Sequence, residues 1–121
     1  LDAFHVSSGK TTTPTAMVRL KTPTGEIKQD AACGDGPVDA VYRTIDRITG
    51  VTGKLVDYGI RAVTSGKDAL GEVLLTAEFD GERFSGKASS TDIIEASAEA
   101  YMVAVNRAAA AGKRGKKATR R

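Results

Sequence analysis

The chain has 121 residues, of which 40% are hydrophobic and 27% are charged; this length suits one compact domain with its own core. No apolar run approaches the roughly 20 residues of a membrane-spanning helix, and no signal-peptide pattern opens the chain. A single cysteine excludes an internal disulfide and fits a reducing compartment. We therefore expect a cytoplasmic protein with no membrane partner. The start at Leu1 suggests a segment of a longer polypeptide.

The net charge of +3 is unevenly distributed along the chain. Six of the 18 basic residues lie within residues 113–121, where there is no acidic residue. Residues 1–112 carry 12 basic and 15 acidic side chains, so this larger part is mildly acidic. The basic character therefore belongs to the end of the chain.

The first half of the chain predicts three strands followed by a helix. Residues 4–8 form a short candidate strand, residues 15–21 alternate apolar and polar side chains, and residues 26–33 follow a Pro-Gly turn as a hairpin partner. Pro37 suits the first turn of a helix. Helical spacing then places these apolar residues on one face: Val38, Val41, Tyr42, Ile45 and Ile48.

The second half repeats this plan. Strands are predicted at residues 55–64, 72–79 and 82–89, with a turn at residues 65–68 and an Asp-Gly hairpin turn between the last two strands. Asp92, with Glu95 three positions later, resembles a capping box. The helix that follows should run to about Ala110.

The predicted fold class is α+β, with two βββα units related by a pseudo-two-fold axis. The units cover about residues 1–52 and 53–110, and they pair into a sandwich of sheets and helices because neither can bury its helix face alone. Residues 1–110 then form one regulatory, amino-acid-binding domain, an assignment that depends on the resemblance described below. Residues 111–121 are predicted to be a basic disordered tail.

The segment Gly34-Asp35-Gly36-Pro37 precedes a helix N-terminus, where free backbone N–H groups and the helix dipole attract an anion. The alternative is a tight turn that binds nothing. Tyr58 could line a pocket or pack in the core. Small residues that leave room for a ligand or a close neighbour are Ala62, Ala69 and Gly71, and acidic residues that could neutralise an ammonium group are Asp35, Asp39, Asp57 and Asp92.

Catalysis and metal binding find little support in the composition. Cys33 and His5 are the only residues of their types, which speaks against a zinc site and against a cysteine nucleophile with its base. A lone cysteine in a strand is typically a small buried hydrophobe. We expect neither a catalytic centre nor a cofactor in this chain.

The basic tail admits a third class of function, nucleic-acid binding through counterion release. No aromatic residue is interleaved with the basic residues, and no recognition module precedes them. Solvated disorder without a nucleic-acid partner is the preferred interpretation.

Four blocks, in order, resemble the C-terminal regulatory domain of bacterial 2-isopropylmalate synthases. They are residues 34–42 (GDGPVDAVY), 55–58 (LVDY), 66–73 (GKDALGEV) and 90–97 (STDIIEAS), with Asn106 matching the family's closing residue. The resemblance covers about residues 1–107. The same domain closes citramalate synthases, so an isoleucine-binding regulatory domain is the nearest alternative.

The resemblance implies two βββα units that dimerise and bind leucine as a feedback inhibitor. By position, the family's leucine pocket falls on Asp35, Gly36, Val38, Leu55, Tyr58, Ala62, Ala69 and Gly71. The whole enzyme condenses acetyl-CoA with 2-oxoisovalerate in leucine biosynthesis. It does so in an N-terminal barrel that uses a divalent metal and a paired-His motif, which this chain lacks. Implied partners are therefore leucine, a second copy and the catalytic barrel of the same polypeptide.

Overall fold

The computed structural model of the chain describes residues 3–7, 13–22, 24–63 and 70–119. Within these ranges the first half forms β1 (Ala3–Ser7), β2 (Thr15–Lys21), β3 (Ile27–Cys33) and α1 (Pro37–Thr49). The second half forms β4 (Lys54–Ala62), β5 (Gly71–Phe79), β6 (Glu82–Ser90) and α2 (Ile93–Thr119). The predicted order, βββα twice, is confirmed.

The strands form two separate antiparallel sheets, ordered β1-β2-β3 and β4-β5-β6. In each sheet the middle strand is hydrogen-bonded to both neighbours, and the ladder between β4 and β5 contains a bulge between Leu55 and Asp57. The predicted α+β class is confirmed. The turn predicted at residues 65–68 lies outside the described residues.

The core lies between the sheets and the helices. Side chains alternate across a strand, and one face of each middle strand is buried by the helix of its own half: α1 packs on β2 and β3, and α2 packs on β5 and β6. The buried residues of the middle strands are Ala16, Val18, Leu20, Val73, Leu75, Ala77 and Phe79. The two helices also contact each other, which joins the halves into one core.

Both helices begin as their sequences predict, and α1 also ends as predicted. Gly36 precedes α1 in an extended conformation and Pro37 occupies its first turn, while Gly50 closes it in the left-handed region at φ 77°. The Asp92 carboxylate caps α2, accepting hydrogen bonds from the backbone N–H groups of Ile94 at 2.9 Å and Glu95 at 3.4 Å. The predicted cap of α2 is confirmed.

Two sequence-based expectations are wrong. Helix α2 continues to Thr119 rather than ending near Ala110; the assignment of residues 111–121 as a basic disordered tail stays a prediction. Residues 111–119 contain no proline, and their Ala, Lys and Arg residues, which favour helix, outnumber the two glycines, which oppose it. Cys33 is exposed rather than buried, because it faces away from the core with its neighbour Thr15 on β2.

Gly86 on β6 marks the closest approach of α2 to its sheet. Gly86 is buried, and a Cβ built on it would overlap the backbone carbonyl oxygen of Ala100. Backbone atoms cannot move aside as a flexible side chain can. Glycine is therefore needed here so that the helix can lie directly on the strand.

We expect Gly86→Ala to lower the free energy of unfolding by roughly 1–3 kcal/mol or more, the usual cost of overpacking a tight core. Chemical denaturation monitored by circular dichroism measures this change. Gly36→Ala, before α1, is the matched control, because a Cβ at Gly36 meets nothing within 4 Å. Equal stability of the two variants would show that the backbone of α2 does not pack closely on β6 at Gly86.

Candidate functional site

A cavity of about 350 Å³ lies where the two halves meet. One wall is α1, a second is the segment from Thr52 to the start of β4, and the third is Tyr101 of α2. The lining residues are Val38, Asp39, Tyr42, Arg43, Asp46, Thr52, Gly53, Leu55 and Tyr101. Its size falls in the range of roughly 300–1,000 Å³ that is typical of small-ligand sites.

The N-terminal turn of α1 forms one end of this cavity. The Asp39 carboxylate accepts hydrogen bonds from the backbone N–H of Asp35 at 2.9 Å and from Nε of Arg43 at 2.8 Å. Gly36 contributes no side chain, and a Cβ there would meet nothing within 4 Å. The turn is therefore held by Asp39, and its open side can accept a small group.

Asp46 supplies a partly buried carboxylate to the opposite part of the cavity. It accepts a hydrogen bond from the Tyr101 hydroxyl at 2.6 Å and another from the backbone N–H of Gly53 at 3.2 Å. Burial raises the pKa of Asp46, while these two hydrogen bonds act in the opposite direction. No cationic side chain of the described residues forms a salt bridge with it.

Two tyrosine rings form the apolar floor between the helices. Tyr42 of α1 and Tyr101 of α2 are stacked, with ring centroids 4.3 Å apart and an angle of 22° between the planes. The Tyr42 hydroxyl is buried and has no hydrogen-bond partner among the described groups. Burial, followed by the nearby Tyr58, raises the pKa of the Tyr42 hydroxyl, with the Ser97 hydroxyl acting in the opposite direction. Tyr42 is thus neutral.

The structure brings together some of the residues that the resemblance assigns to the pocket. Val38 and Leu55 line the cavity from opposite walls. Tyr58 lies beside it, with its hydroxyl 2.6 Å from Ser97 Oγ on α2. Asp35 and Gly36 precede the helix turn, but the Asp35 side chain is 98% exposed and only reaches Arg43, at 4.0 Å.

The remaining predicted residues lie elsewhere or outside the described residues. Ala62 pairs with Gly71 at the far end of β4, seven residues from Leu55 and so roughly 20 Å away at the rise of a strand. A Cβ at Gly71 would overlap the Ile93 side chain, so this glycine admits a close neighbour rather than a ligand. Ala69 lies outside the described residues.

Asp46, a partly buried charged group of the cavity, was not predicted from the sequence. It lies four residues after buried Tyr42, and residues four apart share one face of a helix. An acidic residue on the apolar face of a helix is a signal that this helix meets a partner or a ligand. Thr52 and Tyr101 were also missed, because their places depend on how the halves pack.

The structure brings together no catalytic pair or metal ligands among the residues it describes. His5 lies on β1 and Cys33 on β3, with β2 between them, so at a strand spacing of about 4.8 Å they are too far apart for proton transfer. No three His, Cys, Asp or Glu side chains cluster in the described ranges. Neither described helix is long and apolar enough to cross a membrane.

The comparisons with known proteins agree on one family. The chain matches the LeuA allosteric (dimerisation) domain over residues 1–109. It is 52% identical over 108 residues to a 2-isopropylmalate synthase of Pelotomaculum thermopropionicum, covering 88% of this chain and 21% of that protein. The corresponding synthase of Trichodesmium erythraeum is 49% identical over 115 residues, covering 95% of this chain and 21% of that protein.

A third such synthase, from Carboxydothermus hydrogenoformans, is 53% identical over 108 residues, covering 88% of this chain and 21% of that protein. The chain thus spans about a fifth of the length of the relatives it matches. With the family match extending over nearly the whole chain, and with the βββα order repeated twice, the chain belongs to the LeuA allosteric (dimerisation) domain family.

Proposed function

We propose that this chain is the regulatory domain of a cytoplasmic 2-isopropylmalate synthase, which binds leucine as a feedback inhibitor and forms a homodimer. Its covalent partner is the catalytic barrel of the same polypeptide, where acetyl-CoA and 2-oxoisovalerate condense. The observation that carries the ligand proposal is the cavity between the halves, which is lined both by the partly buried Asp46 carboxylate and by residues of the first turn of α1. Allosteric regulation then couples this cavity to the separate catalytic site.

The cavity offers polar groups for both charges of an amino-acid zwitterion. Asp46 has no salt-bridge partner among the described residues and can accept the ligand's ammonium group. The free backbone N–H groups of Val38 and Asp39 in the first turn of α1, together with Arg43 beside them, can hold the ligand's carboxylate. This arrangement replaces Asp35, whose side chain is exposed, with Asp46 as the ammonium acceptor.

The apolar part of the cavity suits a branched aliphatic side chain. Val38, Leu55 and the rings of Tyr42 and Tyr101 supply its walls. The Tyr58 hydroxyl is hydrogen-bonded to Ser97 of α2 and so holds the neighbouring part of β4 against that helix. Tyr58 therefore supports the apolar walls of the cavity without lining it. Burying an aliphatic side chain of this size contributes roughly 1.5–3 kcal/mol.

Leucine should stabilise the chain against unfolding, by about 2.7 kcal/mol when its concentration is 100 times its dissociation constant. Isoleucine moves one methyl group, so leucine should bind roughly ten- to a hundredfold more tightly. Isothermal titration with leucine, isoleucine and valine tests this. Tighter binding of isoleucine would instead identify the regulatory domain of a citramalate synthase, and no binding would refute the proposal.

Gly36→Asp should weaken leucine binding by more than about tenfold, because a second carboxylate would stand beside that of the ligand. A side chain at Gly36 has free space, so the melting temperature of the unliganded chain should hardly change. Ala110→Asp, at an exposed position on α2, adds the same charge away from the cavity. Unchanged leucine affinity in Gly36→Asp would mean that the ligand's carboxylate is not at this helix end.

Asp46→Asn should weaken leucine binding by roughly ten- to a hundredfold, since a charge-assisted hydrogen bond contributes about 1.5–3 kcal/mol. The amide oxygen can still accept from Tyr101, whereas the amide NH2 cannot accept from the Gly53 N–H. 4-Methylpentanoate, which is leucine without its ammonium group, provides the control ligand. Its affinity should be equal for the wild-type chain and Asp46→Asn; an equal loss for both ligands would make Asp46 purely structural.

A further inference from the structure

Strand β4 concentrates exposed apolar side chains. Six large hydrophobic residues of the described ranges are exposed, and four of them lie on β4 or directly after it: Leu55, Val56, Ile60 and Val63. Ile60 is 53% exposed although it faces the same side of the sheet as buried Val73, its partner on β5. Helix α2 packs mainly on β5 and β6, and its contact with β4 is the hydrogen bond between Tyr58 and Ser97.

The outer edge of β4 is also unpaired within the described residues. β4 is the first strand in the order β4-β5-β6, is nine residues long and contains no proline. The backbone N–H of Val63 points to β5, donating to the Leu70 carbonyl at 3.1 Å. Because backbone groups alternate between the two sides of a strand, those of Tyr58 and Ile60 point to the free edge. Such an edge is a template for another strand.

The β4 sequence is self-complementary when it is paired antiparallel with itself about Gly59. This register places Asp57 opposite Arg61 of the second copy, and Arg61 opposite Asp57 of that copy. On the other face it places Tyr58 opposite Ile60, an aromatic and β-branched pair of the kind that stabilises sheets. Moving the centre to Tyr58 or Ile60 separates the opposite charges. The free backbone groups of Tyr58 and Ile60 then meet as hydrogen-bonded pairs, and Gly59 meets Gly59 at the axis.

We propose that β4 is the dimerisation strand of this domain, pairing antiparallel with β4 of a second copy about a two-fold axis at Gly59. The two three-stranded sheets then form one continuous six-stranded sheet. The exposed Ile60 side chain is covered by Tyr58 of the second copy. The inference rests on the homodimer of the proposed function and assigns its surface and register.

Disulfide trapping tests the register. In a Cys33→Ser background, Gly59→Cys places two thiols across a non-hydrogen-bonded pair, where the Cα atoms are about 4.5 Å apart. That separation lies within the span of about 4.4–6.8 Å that a disulfide allows. Asp57→Cys in the same background is the matched control, since its two copies would be roughly 13 Å apart. On mild oxidation, non-reducing electrophoresis should show covalent dimer for Gly59→Cys and little for Asp57→Cys.

Charge reversal gives an independent test of the same pairing. Asp57→Arg should raise the dimer dissociation constant at least about tenfold. The introduced arginine would lie opposite Arg61 of the second copy, and the two-fold axis repeats this repulsion at a second position. Adding Arg61→Asp should recover most of this loss, even though Arg61 also pairs with Glu72 of its own chain. Sedimentation at low salt measures both effects. Glu99→Arg, on the exposed face of α2, makes the same change of charge away from β4.

The outcomes separate this inference from the proposal on which it rests. A wild-type chain that sediments only as a monomer at tens of micromolar, with leucine present, overturns the homodimer and the pairing together. A dimeric chain whose Gly59→Cys variant forms no more disulfide than Asp57→Cys overturns the β4 pairing alone. Rapid trapping at Gly59 together with rescue by the double reversal supports it.

Discussion

The contact between Asp46 and Tyr101 is the constraint on which the joining of the two halves depends. Each half is one helix on a three-stranded sheet, which leaves part of its apolar surface uncovered. The Tyr101 hydroxyl of α2 donates to Asp46 of α1 at 2.6 Å, and the backbone N–H of Gly53 donates to the other carboxylate oxygen. A Cβ at Gly53 would overlap both Tyr101 and Phe79. The linker, the two helices and the second sheet are thus fixed at one place.

The partly buried carboxylate at this junction carries an energetic cost. Burial disfavours the charged form of Asp46 and raises its pKa, and an apolar residue would avoid that cost. The carboxylate nevertheless faces a cavity of about 350 Å³ instead of a cationic side chain. Groups that lower stability where they lie, such as a partly buried carboxylate without a cationic partner, are often found at functional sites. A ligand ammonium group would complete the interactions of Asp46, so ligand binding and the packing of the two halves would depend on the same side chain.

Much of the fold can be predicted from the sequence, because periodicity and capping act locally. Alternation in residues 15–21 predicts β2, and the Asp92 cap predicts the start of α2. The exposure of β4 cannot be predicted this way, since its alternating residues resemble a half-buried strand and only the position of α2 decides what is covered. The candidate site is predicted in part: Val38 and Leu55 line the cavity, whereas the role of Asp46 depends on which faces of α1 and α2 meet.

The pairing proposed for β4 would also account for the separation of the predicted pocket residues. Leu55 and Ala62 lie at opposite ends of β4 in one chain, but antiparallel pairing about Gly59 brings Ala62 of the second copy next to Val56 and hence near Leu55. The pocket assigned by resemblance would then draw on both copies. A ligand that contacts both copies must strengthen their association by as much as association strengthens its binding, because coupling free energies are reciprocal. Leucine binding and dimerisation would then depend on the same interface, so that a change in one would alter the other.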